Sequence, residues 1–224
     1  MDQPDAVPAE LDAAYAELER LNRWLGGHAS SVYGLEKVAG RRSRGGATLR
    51  VLDVGSGGGE LAPVLAAWGE RTGRAIELVG LDDDRAAIEY ARRHHGSDRA
   101  RFVCEDLFEH TPIEPYDVVH MGITLHHFDN DAAVRALRRM AELLRPGPEG
   151  GVVVNDLQRH PVPFYAVQVV TTALRSPAYV QHDAPLSVNR AFTRAELVDL
   201  ARAAGWRQVR VAWRPMFRWV MTGR

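Results

Sequence analysis

The chain has 224 residues, a formal net charge of −1, and 46% hydrophobic and 25% charged residues. This composition is typical of a folded globular protein, and a chain of this length buries enough surface for a core without disulfides or structural metal. Because the charge is balanced, we expect neither nucleic-acid binding nor recruitment to an anionic membrane.

Cysteine content and the length of apolar runs predict the cellular compartment of the protein. Cys104 is the single cysteine, so no disulfide forms within the chain. The first residues carry several carboxylates without an apolar stretch, which is not the pattern of a secretory signal. No apolar run approaches the ~18 residues of a membrane span. We expect a cytoplasmic protein, either a monomer or a homodimer.

The N-terminal part of the chain has a helical pattern. Leucines and a tyrosine recur at helical spacing from Leu11 to Leu25, and Gly26 and Gly27 follow as a stop signal. We expect residues 1–45 to form a helical lid. Residues 46–224 then form the main domain, with a substrate-binding insertion at about residues 156–192, which is too long for an ordinary loop.

The predicted elements that follow alternate between short apolar strands and amphipathic helices. Strands are predicted at Thr48–Val54, Glu77–Leu81, Ala100–Cys104, Tyr116–Met121 and Gly151–Asn155, with helices at Glu60–Thr72, Arg85–His94 and Ala132–Leu144. Thr193 and Glu196 have the spacing of a capping box that begins another helix, ending near Gly205. Gln208–Trp213 and Met216–Met221 predict an antiparallel hairpin. The pattern predicts an α/β, doubly wound, mostly parallel sheet with helices on both faces.

The strongest motif is a glycine-rich turn after the first predicted strand, VLDVGSGGGEL at residues 51–61. A Cβ at Gly55 or Gly57 would block a ligand from approaching the backbone, and the turn needs positive φ values. The alternative is a flexible turn without a ligand. The third glycine of the dinucleotide fingerprint is replaced by Glu60, whose charge would repel a pyrophosphate at the helix N-terminus, so NAD binding is disfavoured.

The observed pattern, Asp-x-Gly-x-Gly-x-Gly, resembles that of the class I S-adenosylmethionine-dependent methyltransferases. The resemblance implies a Rossmann-like, seven-stranded sheet and S-adenosylmethionine as cofactor. It places Asp82 at the ribose hydroxyls, Asp106 at the adenine amino group and Asp53 at the ammonium group. Taken alone, Asp106 is equally a turn residue. The full set of cofactor-binding residues that it implies is Asp53, Gly55, Ser56, Gly57, Gly59, Asp82, Asp83, Asp106, Leu107 and Met121.

One position departs from this resemblance. Asp83 stands where the family usually has a hydrophobic residue, which would weaken packing on the adenine. Asp83 and Asp84 also suit a turn and a helix N-cap. Segments 155–161 and 185–192 resemble bacterial methyltransferases of polyketide and phenolic lipid pathways, a link to secondary metabolism.

Two histidines follow the fourth predicted strand, where the crevice of such a sheet lies. His126 and His127 are candidate catalytic bases that would take the proton of a hydroxyl acceptor. Structural hydrogen bonding is the alternative for either ring. The fifth strand ends in Asn155 and Asp156, which could bind a metal ion, but the fourth strand supplies no carboxylate. The oxygen ligands for magnesium are therefore incomplete, and a magnesium site is not expected.

The acceptor pocket is expected to draw aromatic and polar side chains from the lid and the insertion. The candidate substrate-binding residues are Trp24, Tyr33, His126, His160, Phe164, Tyr165 and His182. Packing of a helix on the domain, or a turn at His160, explains the insertion residues equally well.

The resemblance implies transfer of a methyl group to a small aromatic or polyketide-derived hydroxyl. Two alternatives remain open at this point. A protein of this fold could bind the cofactor and catalyse cyclisation or decarboxylation, or it could be a non-catalytic accessory subunit.

Overall fold

The computed structural model describes residues 8–39, 48–147, 149–173 and 185–224. The strands are β1 (Leu49–Val54), β2 (Ile76–Asp82), β3 (Ala100–Cys104), β4 (Val118–Gly122), β5 (Gly151–Leu157), β6 (Val209–Arg214) and β7 (Arg218–Gly223). The named helices are α1 (Pro8–Trp24), α2 (Gly27–Val38), α3 (Leu61–Thr72), α4 (Arg85–His95), α5 (Asn130–Glu142), α6 (Pro161–Ala173) and α7 (Arg194–Ala203).

The strands form one sheet in the order β3-β2-β1-β4-β5-β7-β6. The first five are parallel, and β7 runs antiparallel to both β5 and β6. The strand order reverses between β1 and β4, so their carboxyl ends open a crevice where ligands of such sheets bind. This topology confirms the predicted α/β class with a C-terminal hairpin.

The sheet has a hydrophobic core on each face. Helices α2, α3 and α4 cover one face, and α5 and α7 cover the other. Val51 and Leu52 of β1 point to opposite faces and are both fully buried, as expected for a parallel strand between two helical layers. Within the described ranges, no helix has the length and apolar character needed to cross a membrane.

The N-terminal segment, expected as a helical lid over residues 1–45, consists of two helices in its described part, and this division was not predicted. Helix α1 ends near the predicted stop, where Gly26 has φ 71°, and α2 begins at once and packs on β5 and β7. Its buried residues are mostly small, and Leu35 is the one large apolar side chain among those that are buried. Apolar periodicity therefore gave no sign of this helix.

The C-terminal hairpin turns later than predicted. Met216 and Phe217 have φ values of 62° and 53°, so they belong to the turn, and β7 starts at Arg218 instead of Met216. Apolar side chains at both positions hid the turn, since bulky residues are uncommon at positive φ. The predicted capping box is confirmed, because Thr193 accepts a hydrogen bond from the Glu196 backbone and the reciprocal bond is also present.

Gly34 lets α2 approach the sheet closely. A Cβ at this position would overlap the side chain of Val153 in β5. We expect Gly34→Val to lower the free energy of unfolding by about 1–3 kcal/mol, because the extra methyl groups force α2 away from the strand. Urea denaturation measures the change.

The control places the same valine side chain on the exposed side of the same helix. Ala29 is exposed, so Ala29→Val is expected to change the free energy of unfolding by less than about 0.5 kcal/mol. Equal losses for the two variants would contradict the packing assigned to Gly34.

Candidate active site

The glycine loop connects β1 to α3 and has two distinct contact environments. Gly55 and Gly57 have φ values of 67° and 50°, which side chains other than glycine rarely adopt. A Cβ on Gly55 would lie 2.6 Å from Thr124 Oγ1, whereas nothing lies within 4 Å of a Cβ on Gly57. The loop therefore packs against the segment after β4 at Gly55 and stays open at Gly57.

Asp82, at the carboxyl end of β2, connects the glycine loop to the start of α4. Its Oδ2 accepts a hydrogen bond from the Gly57 backbone N–H at 2.8 Å, and its Oδ1 accepts one from Asp84 N–H at 3.0 Å. Asp84 caps α4 by accepting from Ala86 N–H, which confirms the predicted N-cap. The carboxylate thus fixes two turns with its own oxygens.

The surroundings of Asp82 also shift the pKa of its carboxyl group. Burial raises its pKa above the ordinary value for an aspartate, and the charges of Asp83 and Asp84 raise it further. Backbone N–H groups of Asp84 and Gly57 oppose this by stabilising the carboxylate. The two carboxyl oxygens keep acceptor capacity for a ligand hydroxyl at the rim of the crevice.

A cleft of about 300 Å³ opens between the glycine loop and the segment that follows β4. It is lined by Val54, Gly55, Leu81, Asp82, Asp83, Glu105, Asp106, Leu107, Phe108, Ile123, Thr124, His127 and Phe128. Four of these side chains are carboxylates, and no lysine or arginine of the described chain is among them. Such a cleft repels phosphate and favours a ligand with positive charge.

The structure brings half of the expected cofactor residues to this cleft: Gly55, Asp82, Asp83, Asp106 and Leu107. Asp106 also accepts a hydrogen bond from Phe108 N–H at 2.7 Å, so it is a turn residue as well. Gly57 is joined to Asp82. Ser56 and Met121 are 5% and 0% exposed, and Gly59 faces the Phe102 ring, so these three lie behind the cleft wall.

Asp53 is part of a buried polar network that holds α2 against the sheet. Its Oδ1 lies 2.6 Å from His120 Nδ1, which carries the proton because a carboxylate only accepts. Ser31 Oγ lies 2.9 Å from His120 Nε2 and accepts from Asn155 Nδ2 at 2.9 Å. Asp53 is 4% exposed. Its contact with the cofactor ammonium group remains a prediction.

The two candidate bases have different environments. His126 Nδ1 donates to Asp156 Oδ1 at 2.7 Å, and His126 N–H donates to Asp156 Oδ2 at 2.9 Å. Both side chains are 1% exposed. The His127 ring lies 4.2 Å from that of His126 and lines the cleft. Burial, followed by the neighbouring His126, lowers the pKa of His127, which favours the neutral ring.

Two features of this region were missed in the sequence. Asp156 was considered only as a metal ligand, although its position at the end of β5 signals that it shares an edge with His126. Ile123 lines the cleft with φ 52°, an unusual value for a β-branched residue, and its N–H donates to Asn155 O at 2.8 Å. An isoleucine in the sequence does not predict a positive φ value.

The candidate substrate residues are dispersed. Trp24 is 80% exposed at the end of α1, and Tyr33 lies 4.1 Å from the Arg214 guanidinium. The His160 ring stacks on Phe217 at 6.1 Å. Phe164 and Tyr165 pack edge to face at 5.3 Å on α6. None of these residues is among those that line the cleft, and His182 lies outside the described residues.

Comparison with known proteins identifies the domain. Residues 51–147 match the family described as "Methyltransferase domain". That match supports, over this part of the chain, the resemblance to class I S-adenosylmethionine-dependent methyltransferases. It is 29% identical over 164 residues to the ubiquinone biosynthesis O-methyltransferase of Aeromonas salmonicida (strain A449), covering 70% of this chain and 62% of that relative. This chain thus spans less than two thirds of that relative's length.

Two solved structures share the methyltransferase fold. Human N-acetylserotonin methyltransferase in complex with SAM has a TM-score of 0.65 at 16% identity, covering 97% of this chain and 56% of that one. The plantazolicin methyltransferase BpumL in complex with SAH has a TM-score of 0.65 at 15% identity, covering 100% and 92%. These likenesses support the fold.

The residues present fit S-adenosylmethionine. The open backbone at Gly57 admits a ligand, Asp82 can accept from ribose hydroxyls, and the carboxylate-lined cleft suits a sulfonium cation without phosphate. Among the residues that the structure describes, no group of three or more His, Cys, Asp or Glu side chains could hold a metal ion. That the site needs no metal remains a prediction.

Asp82 and Asp83 provide a matched pair for testing the cleft. We expect Asp82→Asn to weaken binding of S-adenosylhomocysteine by about tenfold or more. The single oxygen of an amide cannot accept hydrogen bonds from both backbone N–H groups and from the sugar. A hydrogen bond to a charged group contributes roughly 1.5–3 kcal/mol. Calorimetric titration measures the dissociation constant.

Asp83→Asn removes the same charge one residue away and should weaken binding by less than about threefold, since screened charge alone contributes little at an exposed site. If both variants lost affinity equally, net charge rather than the hydrogen bonds of Asp82 would govern binding.

Proposed function

We propose that this protein is an enzyme that transfers a methyl group from S-adenosylmethionine to the hydroxyl of a small, aromatic or polyketide-derived acceptor. The observation that carries the proposal is the juxtaposition of two groups at one edge of the sheet. Asp82 and three further carboxylates line a phosphate-repelling cleft, and the turn that bears His126 and His127 forms part of the opposite wall.

On the donor side, the residues of this chain would bind and orient S-adenosylmethionine. When bound, S-adenosylmethionine supplies an electrophilic methyl group on a positively charged sulfur. Asp82 would hold the ribose hydroxyls, and Asp106 and Leu107 would flank the adenine. Because an in-line displacement mainly needs alignment and exclusion of water, these contacts carry much of the catalytic effect.

On the acceptor side, His126 would take the hydroxyl proton. Asp156 holds the proton of the ring on Nδ1, which leaves the lone pair on Nε2. The same carboxylate also accepts a hydrogen bond from the His126 backbone N–H, so the ring is fixed in position and tautomer. His127 lines the cleft but has no carboxylate partner among the described residues, and we assign it to the wall.

The name of the Aeromonas salmonicida relative supports a hydroxyl acceptor. The N-terminal helices support a role as a lid: Tyr15 Oη donates to Asp84 at 3.0 Å, and its Cβ lies 3.5 Å from where a Cβ of Gly58 would be. Helix α1 therefore lies over the glycine loop. The aromatic pair on α6 would supply apolar surface to the acceptor once it is bound.

The direct test incubates the full chain with S-adenosylmethionine labelled in its methyl group and a panel of phenols and hydroxylated polyketides. We expect the label in an O-methyl group of at least one acceptor, identified by mass spectrometry. Tight cofactor binding without transfer to any acceptor would favour an accessory subunit, and an altered unlabelled acceptor would favour cyclisation or decarboxylation.

The base is tested by matched histidine variants. A general base contributes roughly 10²–10⁴-fold, so we expect His126→Gln to lower kcat by about 100-fold or more while S-adenosylhomocysteine binding stays unchanged. Asp156→Asn should lower kcat in the same direction, because it loosens the ring and its tautomer. His127→Gln is the control, with a smaller loss of kcat. If His127→Gln lost the larger factor, the assignment to His126 would be wrong.

A further inference from the structure

A second pocket lies at the opposite edge of the sheet from the cleft, where the parallel strands begin. It has a volume of about 220 Å³, and its lining comes from the amino-terminal parts of β1, β2 and β3 and from the approach to β4. No residue lines both this pocket and the cleft. The lining of the pocket includes three arginines, whereas that of the cleft includes none.

The pocket forms on a part of the sheet that no helix follows. Arg50 of β1 pairs in register with Glu77 of β2, and Val79 of β2 pairs with Arg101 of β3. Register partners and residues two positions apart in a strand point to the same face, so these four side chains share one face of the sheet. The connection from β3 to β4, residues 105–117, contains no helix. The start of this face therefore stays open to a ligand.

Arg50 and Tyr116 form a fixed wall of the pocket. The Arg50 guanidinium lies 5.4 Å from the centre of the Tyr116 ring, and its Nη1 donates to Glu114 Oε2 at 3.1 Å. Its Nε lies 3.8 Å from Glu77 Oε2. Tyr116 is 2% exposed, and its hydroxyl oxygen lies 3.0 Å from His110 Nε2. The charge of Arg50 is thus balanced by two carboxylates, and this wall gives the pocket its shape.

Arg99 and Arg101 give the pocket its unbalanced positive charge. Both are exposed and both line the pocket. The ion pairs at this pocket belong to Arg50; within the described ranges, neither Arg99 nor Arg101 has a carboxylate within 4.0 Å of its guanidinium. Two guanidinium groups at one pocket favour a ligand that carries two negative charges.

Two exposed carboxylates complete the polar lining. Glu77 and Asp98 both belong to the pocket. A carboxylate only accepts hydrogen bonds, so each can bind a ligand hydroxyl and would repel a second acidic group. The pocket therefore combines donors for one compact anion with acceptors for hydroxyl groups.

We propose that this pocket binds a sugar phosphate. Arg99 and Arg101 hold the phosphate, because a guanidinium matches phosphate oxygens in both geometry and charge. Glu77 and Asp98 accept hydrogen bonds from the sugar hydroxyls. A phosphate monoester has a second pKa of about 6, so it carries nearly two negative charges at neutral pH. This binding site goes beyond the proposed function, whose cleft favours a ligand without phosphate.

Calorimetric titration of the full chain with ribose 5-phosphate, at neutral pH and constant ionic strength, tests the proposal. We expect a dissociation constant in the millimolar range or below, and binding of inorganic phosphate at least about threefold weaker, because it lacks the hydrogen bonds of the sugar. Arg101→Gln and Arg99→Gln should each weaken binding of ribose 5-phosphate by about tenfold, since each removes a charged hydrogen bond.

Two control variants locate the site. Arg210 is also an exposed arginine on an edge strand, but it lies on β6 at the other edge of the sheet. Arg210→Gln should leave the affinity unchanged, and so should Asp82→Asn, which alters the cleft.

Three results would overturn the proposal: no binding of ribose 5-phosphate at millimolar concentration, equal losses in Arg101→Gln and Arg210→Gln, or a loss confined to Asp82→Asn. The arginines of β3 would then only protect an edge strand from pairing with another chain. Equal affinities for ribose 5-phosphate and inorganic phosphate would contradict the role given to Glu77 and Asp98. None of these results depends on methyl transfer, so the proposed function is tested separately.

Discussion

The carboxylate of Asp82 is the interaction on which the ligand edge depends. One oxygen holds the N–H of Gly57 and the other holds the N–H of Asp84, so a single side chain fixes the glycine loop and the start of α4. Both bonds are charge-assisted, which makes them stronger than neutral ones. Because Asp82 also lines the cleft, the loop geometry and the proposed contact with a sugar depend on one group.

A second polar system holds the N-terminal helices to that edge. His120 joins Asp53 to Ser31, and Asn155 ties Ser31 to the start of α2. Each of these groups is buried, so the network is stabilising only while every member keeps its partner. The turn between α1 and α2 is also bound by Arg218, which donates to Leu25 O. These polar contacts add to the packing of the buried Leu35 of α2.

The local signals in the sequence predicted the sheet, the glycine loop and the caps, because each rests on short-range chemistry such as positive φ in Gly55 or the N-cap oxygen of Asp84. The N-terminal segment was expected to be helical, but its division into α1 and α2 was not predicted, because the packing face of α2 uses Ser31 and Gly34, which carry no apolar periodicity. The pairing of His126 with Asp156 joins residues thirty positions apart, and only the register of β4 on β5 brings them together. Long-range pairing of this kind requires the folded sheet.

A crystal structure of the full chain grown with S-adenosylhomocysteine tests the central claim most directly. The account predicts that the two sugar hydroxyls lie within about 3.2 Å of the Asp82 oxygens, as hydrogen bonds require, with the Gly57 backbone alongside the ligand. A nucleoside bound elsewhere on the sheet, or a cleft that accepts only a phosphate-bearing nucleotide under the same conditions, would contradict it.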